Sequence, residues 1–189
     1  MLQGELPHIG PYTPVRSLGE GSTTITHLYR YEQRKKDVVI KITRAPLSTL
    51  AEKEAFLARA KLLKKLKHRY MSEIMDAGML QAGEPADDYG YLVVQYIAGS
   101  TIHARFNPGH CYAPDEVRAA LFPLADTLQY AHKLLAVHGN LHPGNVLQTG
   151  KDVFLTDFAL PAQIFLIQDT QLYHAPEHLR GTTSAASDP

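Results

Sequence analysis

A single cysteine, Cys111, is all that the 189 residues supply. No intrachain disulfide framework can hold this fold, and the chain is expected in a reducing, cytoplasmic setting. There is no surplus of either charge, since 19 Lys+Arg stand against 19 Asp+Glu. A dedicated nucleic-acid binder usually carries a basic excess for its phosphate contacts, so no nucleic-acid partner is expected. Apolar runs are short, none approaching the roughly 18–20 residues that a membrane-spanning helix needs. The opening residues MLQGELPHIG lack the basic start and apolar core of a signal peptide. Internal repeats and low-complexity tracts are also absent. What is present is ordinary for a globular chain: 44% hydrophobic and 20% charged residues, enough for a core in one domain or two small lobes.

The zero balance hides an asymmetry. Residues 1–70 carry 14 Lys+Arg and 6 Asp+Glu, whereas residues 71–189 carry 5 and 13. A solvated, Lys-rich helix face over residues 61–69 accounts for much of the basic half. A basic lobe facing an anionic ligand or partner is the other reading.

The stretch from Tyr12 to Ile42 reads as β structure. Val15–Leu18 leads into Gly19-Glu20-Gly21, followed by a run rich in β-branched residues over 22–26, then Leu28-Tyr29-Arg30-Tyr31, a polar turn over 32–37, and Val38-Val39-Ile40-Lys41-Ile42. β-branched runs bounded by turn residues are the strand signal. A helix is predicted to begin near Ser48 or Thr49, where Thr49-Leu50-Ala51-Glu52 fits a capping box. Phe56, Ala60 and Leu63, with Leu62 and Leu66, give its buried stripe. Tyr91-Leu92-Val93-Val94 reads as a buried strand that exits through residues 95–99. A second helix is predicted over 114–133, with Val117, Leu121, Leu124 and Leu128 on one face and a kink at Pro123. Short β pieces follow near Val146-Leu147 and Val153-Phe154-Leu155. Strands, one helix, a strand, then mostly helix is an α+β arrangement rather than an alternating βαβ one.

Gly19-x-Gly21 after a strand is weak by itself, and the strand that follows it excludes the dinucleotide fingerprint, which needs a helix there. Lys41 ends an otherwise apolar run, where a buried ammonium is costly without an anion. Downstream lie His138-Gly139-Asn140-Leu141-His142-Pro143-Gly144-Asn145, then Asp157-Phe158-Ala159, then Thr170-Gln171-Leu172-Tyr173-His174-Ala175-Pro176-Glu177. His103, His110 and Cys111 lie close in sequence but lack the further spacing of a metal site.

In this order and spacing, the segments resemble the protein-kinase signature set over nearly the whole chain. The resemblance implies a protein-kinase-like two-lobe α+β fold. Its β-rich small lobe would span residues 10–95. An incomplete, mostly helical large lobe would span 98–189, with the later helices of the family absent. Ser187-Asp188 looks like the start of the helix that anchors that lobe. By residue, the resemblance implies that Gly19 and Gly21 cover the phosphates of ATP and that Lys41 holds them. Gln95 to Ile97 would receive the adenine, with Val94 as gatekeeper. Asn145 and Asp157 would bind Mg²⁺, and His142 sits where protein kinases often place a phosphate-binding lysine. Thr170 is read as structural, with phosphorylation as the alternative, because the segment is short and poor in other sites.

The departures bear on function. Asn140 replaces the aspartate of the catalytic loop, and an amide cannot take up the substrate hydroxyl's proton near neutral pH. Losing a general base costs on the order of 10²–10⁴ in rate. Arg59 falls where the glutamate partner of Lys41 is expected. Two cations about 4 Å apart repel by roughly 4 kcal/mol at an effective dielectric near 20. Thr24 replaces the third glycine of the loop, and Ala159 replaces the glycine after Asp-Phe. HGNLHPGN is also similar to the catalytic loop of aminoglycoside and choline phosphotransferases, whereas residues 170–177 pull toward protein kinases. The reading is a Mg-ATP-binding pseudokinase. A weakly active Ser/Thr or small-molecule kinase, and a non-catalytic interaction module or fragment, are the alternatives.

Overall fold

The computed structural model describes residues 6–21, 23–82, 87–105, 109, 111–160, 173, 175–177 and 184–188. Ser22, His110, Thr170, Gln171, Leu172 and His174 lie outside the described residues. The chain divides into two compact units. The first takes in residues up to Lys65 and from Glu73 to Tyr96, and the second takes in Leu66–Ser72, Ile97–Ala159 and 184–188.

The first unit is built on a five-stranded antiparallel sheet. Its strands are β1 (Tyr12–Glu20), β2 (Thr24–Tyr31), β3 (Lys36–Thr43), β4 (Ile74–Ala82) and β5 (Asp87–Gln95), in the spatial order β1-β2-β3-β5-β4. β4 is absent from the sequence reading. Its sequence IMDAGMLQA has one β-branched residue and no clean alternation, so its partner β5 rather than its own propensity makes it a strand. One face of the sheet carries a core of Tyr12, Tyr29, Val38, Ile40, Ile42, Tyr89 and Val93. The segment before β1 closes over it, because Ile9 is buried in the same cluster and Tyr29 Oη donates to the Pro7 carbonyl at 2.8 Å.

Helix α1 (Leu50–Lys64) also belongs to this unit. The expected capping box is present, with Glu52 N–H donating to Thr49 Oγ1 at 3.1 Å and Thr49 N–H to Glu52 Oε2 at 2.8 Å. Phe56, Ala60 and Leu63 are its buried residues. Phe56 docks where β5 has no side chain: a Cβ on Gly90 would lie 2.7 Å from its ring.

The second unit holds a small antiparallel sheet, β6 (Ser100–Thr101), β7 (Val146–Thr149) and β8 (Asp152–Leu155). With it come a short helix α2 (Ile102–Arg105) and a long helix α3 (Pro114–Lys133). α3 has the bounds read from the sequence and runs on through Pro123. The missing proline N–H leaves the carbonyl of Ala119 without its helical partner, and Ala119 is exposed, where water can serve it. The apolar face read along α3 holds only in part. Leu124 and Leu128 are buried with Thr127 and Ala131, but Val117 and Leu121 are exposed. Residues 66–72 pack on the buried half: Lys67 N–H donates to Tyr130 Oη at 3.0 Å, and His68 Nδ1 lies 3.0 Å from Thr127 Oγ1. Among the described residues no helix is long and apolar enough to cross a membrane.

Candidate functional site

In the first unit the sheet register sets the candidate residues in one row. Gly19 on β1 pairs with Thr26 on β2, Thr26 with Lys41 on β3, and Lys41 with Leu92 on β5. Directly opposed residues point to the same face. Lys41, half-buried, therefore shares a face with Gly19 two strands away, a span of roughly 10 Å at the usual strand spacing. The tyrosine-rich core lies on the other face. Ile40 and Ile42, which flank Lys41 in sequence, serve that core. A lysine in an apolar run is thus accommodated by strand alternation.

Gly21 closes the β1–β2 hairpin by donating its N–H to Thr24 O at 2.8 Å. Thr24 is buried on β2. Val94 is buried on β5, opposite Val39, and Gln95 at the end of that strand is held by its N–H to Glu73 O at 2.8 Å. Ile97 is the first residue of the second unit in this part of the chain.

Helix α1 carries Glu52, Glu54 and Arg59. Glu52 is engaged in the cap, and its accepted bonds from Thr49 hold its carboxyl below the usual range. Glu54 is exposed, and Arg59 is half-buried on the helix.

In the second unit the catalytic-loop candidates are organised around His138, which is fully buried. Its ring lies 4.5 Å from that of Phe158, its Nε2 donates to Thr156 O at 2.8 Å, and its Nδ1 accepts the Asn140 N–H at 3.2 Å. Burial pushes its pKa down to about 4, so the ring is a neutral scaffold at pH 7. Asn145, also buried, donates from Nδ2 to Asn140 O at 2.8 Å, and its carbonyl accepts the Thr156 N–H at 2.9 Å. Those bonds set Asn145 beside Asn140 and beside the residue preceding Asp157. Asp157 holds a left-handed backbone with φ 63°, uncommon for a non-glycine residue though most tolerable for Asp or Asn.

Asn140 carries the most telling feature. Its Oδ1 is buried and has no hydrogen-bond partner among the described residues. An unmet acceptor costs free energy of order 1–3 kcal/mol unless a donor arrives. His142 accepts the Gly144 N–H at Nδ1, at 3.1 Å. Its ring lies 6.3 Å from that of Tyr173. His103 and Cys111 are exposed, and no group of three or more His, Cys, Asp or Glu among the described residues is arranged to hold a metal ion. Asn145 and Asp157 offer an Asn–Asp set instead. Its hard oxygen donors suit Mg²⁺, which takes few protein ligands and completes its shell with phosphate and water.

Two residues that matter here were not given a role from the motifs. Asp188, with its side chain buried, accepts from the N–H of His138 at 2.6 Å and of Gly139 at 2.8 Å, and lies 2.8 Å from His132 Nε2. In the sequence, Ser187-Asp188 resembles only the start of a helix. Gly139 stands where the kinase template has arginine. Its φ is +69°, and a Cβ there would lie 3.3 Å from that of Ala159. The change of arginine to glycine was the available signal.

Comparison with known proteins agrees with this arrangement. The family model for the protein kinase domain matches residues 12–188. A probable serine/threonine-protein kinase MARK-C of Dictyostelium discoideum is 25% identical over 94% of this chain and 24% of its own length. Serine/threonine-protein kinase ULK3 of Xenopus laevis is 29% identical over 93% of this chain and 36% of its own. Serine/threonine-protein kinase Sgk1 of Gallus gallus is 28% identical over 82% and 35%. The chain thus spans about a quarter to a third of the length of these relatives. Among solved structures, the PknI kinase domain of Mycobacterium tuberculosis aligns with a TM-score of 0.78 at 22% identity, over 100% of this chain and 72% of that one. The sheet order, the buried His138 loop and the family match over residues 12–188 lead to one assignment: the chain belongs to the protein kinase domain family.

Proposed function

We propose that this chain is a pseudokinase: a kinase-type module that binds Mg-ATP and transfers its phosphoryl group poorly. The small lobe is taken as residues 10–95 and the large lobe as 98–189. The observation that carries the reading is the contrast between Asn140 and its neighbours. Asn145 and Asp157 retain oxygen donors suited to Mg²⁺, while the position of the base carries an amide. When bound, the metal ion neutralises charge on the phosphates. On this reading Lys41 would hold the phosphates, Gly19 and Gly21 would cover them, Val94, Gln95 and Ile97 would receive the adenine, and His142 would stand in the place of a phosphate-binding lysine. Asn140 Oδ1 accepts a hydrogen bond but removes no proton.

That unmet acceptor favours one second reading, a weakly active serine/threonine kinase in which Asn140 orients the substrate hydroxyl. The relatives, named serine/threonine-protein kinases, support a Ser/Thr hydroxyl as the acceptor in that case. The single cysteine agrees with a cytoplasmic setting.

A thermal shift tests the nucleotide site. Ligand at 100 times its dissociation constant stabilises by about 2.7 kcal/mol, or roughly 5–10 °C for a chain of this size. The shift should require Mg²⁺ and shrink in Asp157→Ala. Equal shifts with and without the metal would overturn the assignment of Asn145 and Asp157. A radiolabelled transfer assay separates the pseudokinase from the weak kinase.

A further inference from the structure

One side chain ties the tip of the β1–β2 hairpin to the end of β3. Arg44 follows Thr43, the last residue of β3, and its N–H donates to Thr23 O at 2.9 Å, which carries the β2–β3 pairing one step beyond the strand. From this anchored position its Nη1 donates to Gly21 O at 3.0 Å, and its Nη2 lies 3.7 Å from Glu20 Oε2. Gly21 is the residue whose N–H closes the turn on Thr24.

The side chains of Arg44 and Glu20 are 47% and 61% exposed, so the ion pair alone is screened and weak. The bond to the Gly21 carbonyl is different in kind. It is directional, charge-assisted and held from a central strand, so its effect is to restrict the hairpin tip. A flap ordered before its ligand arrives loses less conformational freedom on binding.

We propose that Arg44 is the positioning residue of the phosphate-covering hairpin. By tying Gly21 to the end of β3 it holds the hairpin ready, and so sets the affinity for the triphosphate part of a nucleotide rather than for its base. The inference rests on the nucleotide-binding reading above.

The test uses the full chain, Arg44→Ala and Arg44→Lys. Calorimetry measures binding of Mg-ATP and of adenosine, and amide hydrogen exchange follows the hairpin without ligand. Arg44→Ala should bind Mg-ATP about 5- to 10-fold more weakly, the scale of one lost hydrogen bond. It should bind adenosine as wild type does, and its amides at Glu20, Gly21 and Thr24 should exchange several-fold faster. Arg44→Lys should fall between, because an ammonium lacks the planar fork that meets both acceptors at once. Unchanged ATP affinity in Arg44→Ala, or an equal loss for adenosine, would overturn the proposal. So would weaker ATP binding with unchanged exchange, which would make Arg44 a charge acting on the phosphates directly. Wild-type protein that binds neither ligand would refute the nucleotide reading itself, and this inference with it.

Discussion

His138 donates from Nε2 to the carbonyl of Thr156 while its Nδ1 accepts from the N–H of Asn140. Only the neutral ring can do both. Burial pushes the folded-state pKa down to about 4, against about 6.5 in an unfolded chain. Above pH ~6.5 both states are neutral and the group contributes no pH dependence. As the pH falls from ~6.5 to ~4 the unfolded state gains a proton that the folded state does not, and stability is lost, by about 3 kcal/mol over the whole window. Urea melts between pH ~7.5 and ~5 should show the fall. In His138→Gln the slope should flatten while overall stability drops. An equal slope in that variant would assign the acid sensitivity to another group.

Leu135 sits just past the end of α3 with φ 57° and is 88% exposed. A left-handed leucine pays a steric cost of roughly 1–2 kcal/mol, and here little burial offsets it. Leu135→Asn should therefore stabilise the protein, by about 0.5–1 kcal/mol. Chemical denaturation reads the sign, and a destabilised variant would mean that the exposed leucine makes a contact it does not show here.

Gly90 gives the Phe56 ring its seat on β5, with the hypothetical Cβ 2.7 Å from the ring atoms. Gly90→Ala should cost about 1–3 kcal/mol through overpacking. Combining it with Phe56→Leu should cost less than the sum of the two single changes, because the smaller side chain relieves the clash. Strict additivity in the double-mutant cycle would show that helix α1 moves away from the sheet without resistance.

Asn140→Asp supplies a carboxylate where the loop has an amide. If the rest of the site is competent, phosphoryl transfer should rise by 10²–10⁴, the range for a general base. The Mg²⁺-dependent thermal shift should stay near the wild-type value. Radiolabelled transfer to a generic Ser/Thr protein substrate measures the first, and melting the second. Intact ATP binding with no gain in transfer would place the defect beyond the base, with Thr24 and Ala159 the next substitutions to revert.

The sequence was most legible where local rules decide the structure. The capping box at Thr49 and Glu52, the bounds of α3 and the three opening strands all follow from short-range chemistry. β4 was not legible, because IMDAGMLQA lacks a strand pattern and is held by its pairing with β5. The face of α3 was misjudged at Val117 and Leu121, since periodicity says which residues share a side of a helix but not whether anything covers it. At the site, single residues in a motif identified Lys41, Asn145 and Asp157 as candidates. The bonds of Arg44 to the hairpin and of Asp188 to the loop join residues 23 to 50 positions apart. Such pairings leave no local mark in the sequence.

The distance in sequence between Asp188 and the loop it holds also imposes an order on folding. The carboxylate bonds backbone N–H groups fifty and forty-nine positions earlier. At a synthesis rate of about 5–20 residues per second, the His138–Gly139 segment is made roughly 3–10 s before its anchor exists. Every strand of the five-stranded sheet has been translated by position 95, so that sheet can assemble while the ribosome is still elongating the rest. The His138–Asn140 loop therefore sets later than the five-stranded sheet. A nascent chain stalled before residue 188 would carry a formed sheet and a loop without its clamp, and translation speed over the fifty codons between loop and clamp would govern how long that intermediate is exposed to chaperones and proteases.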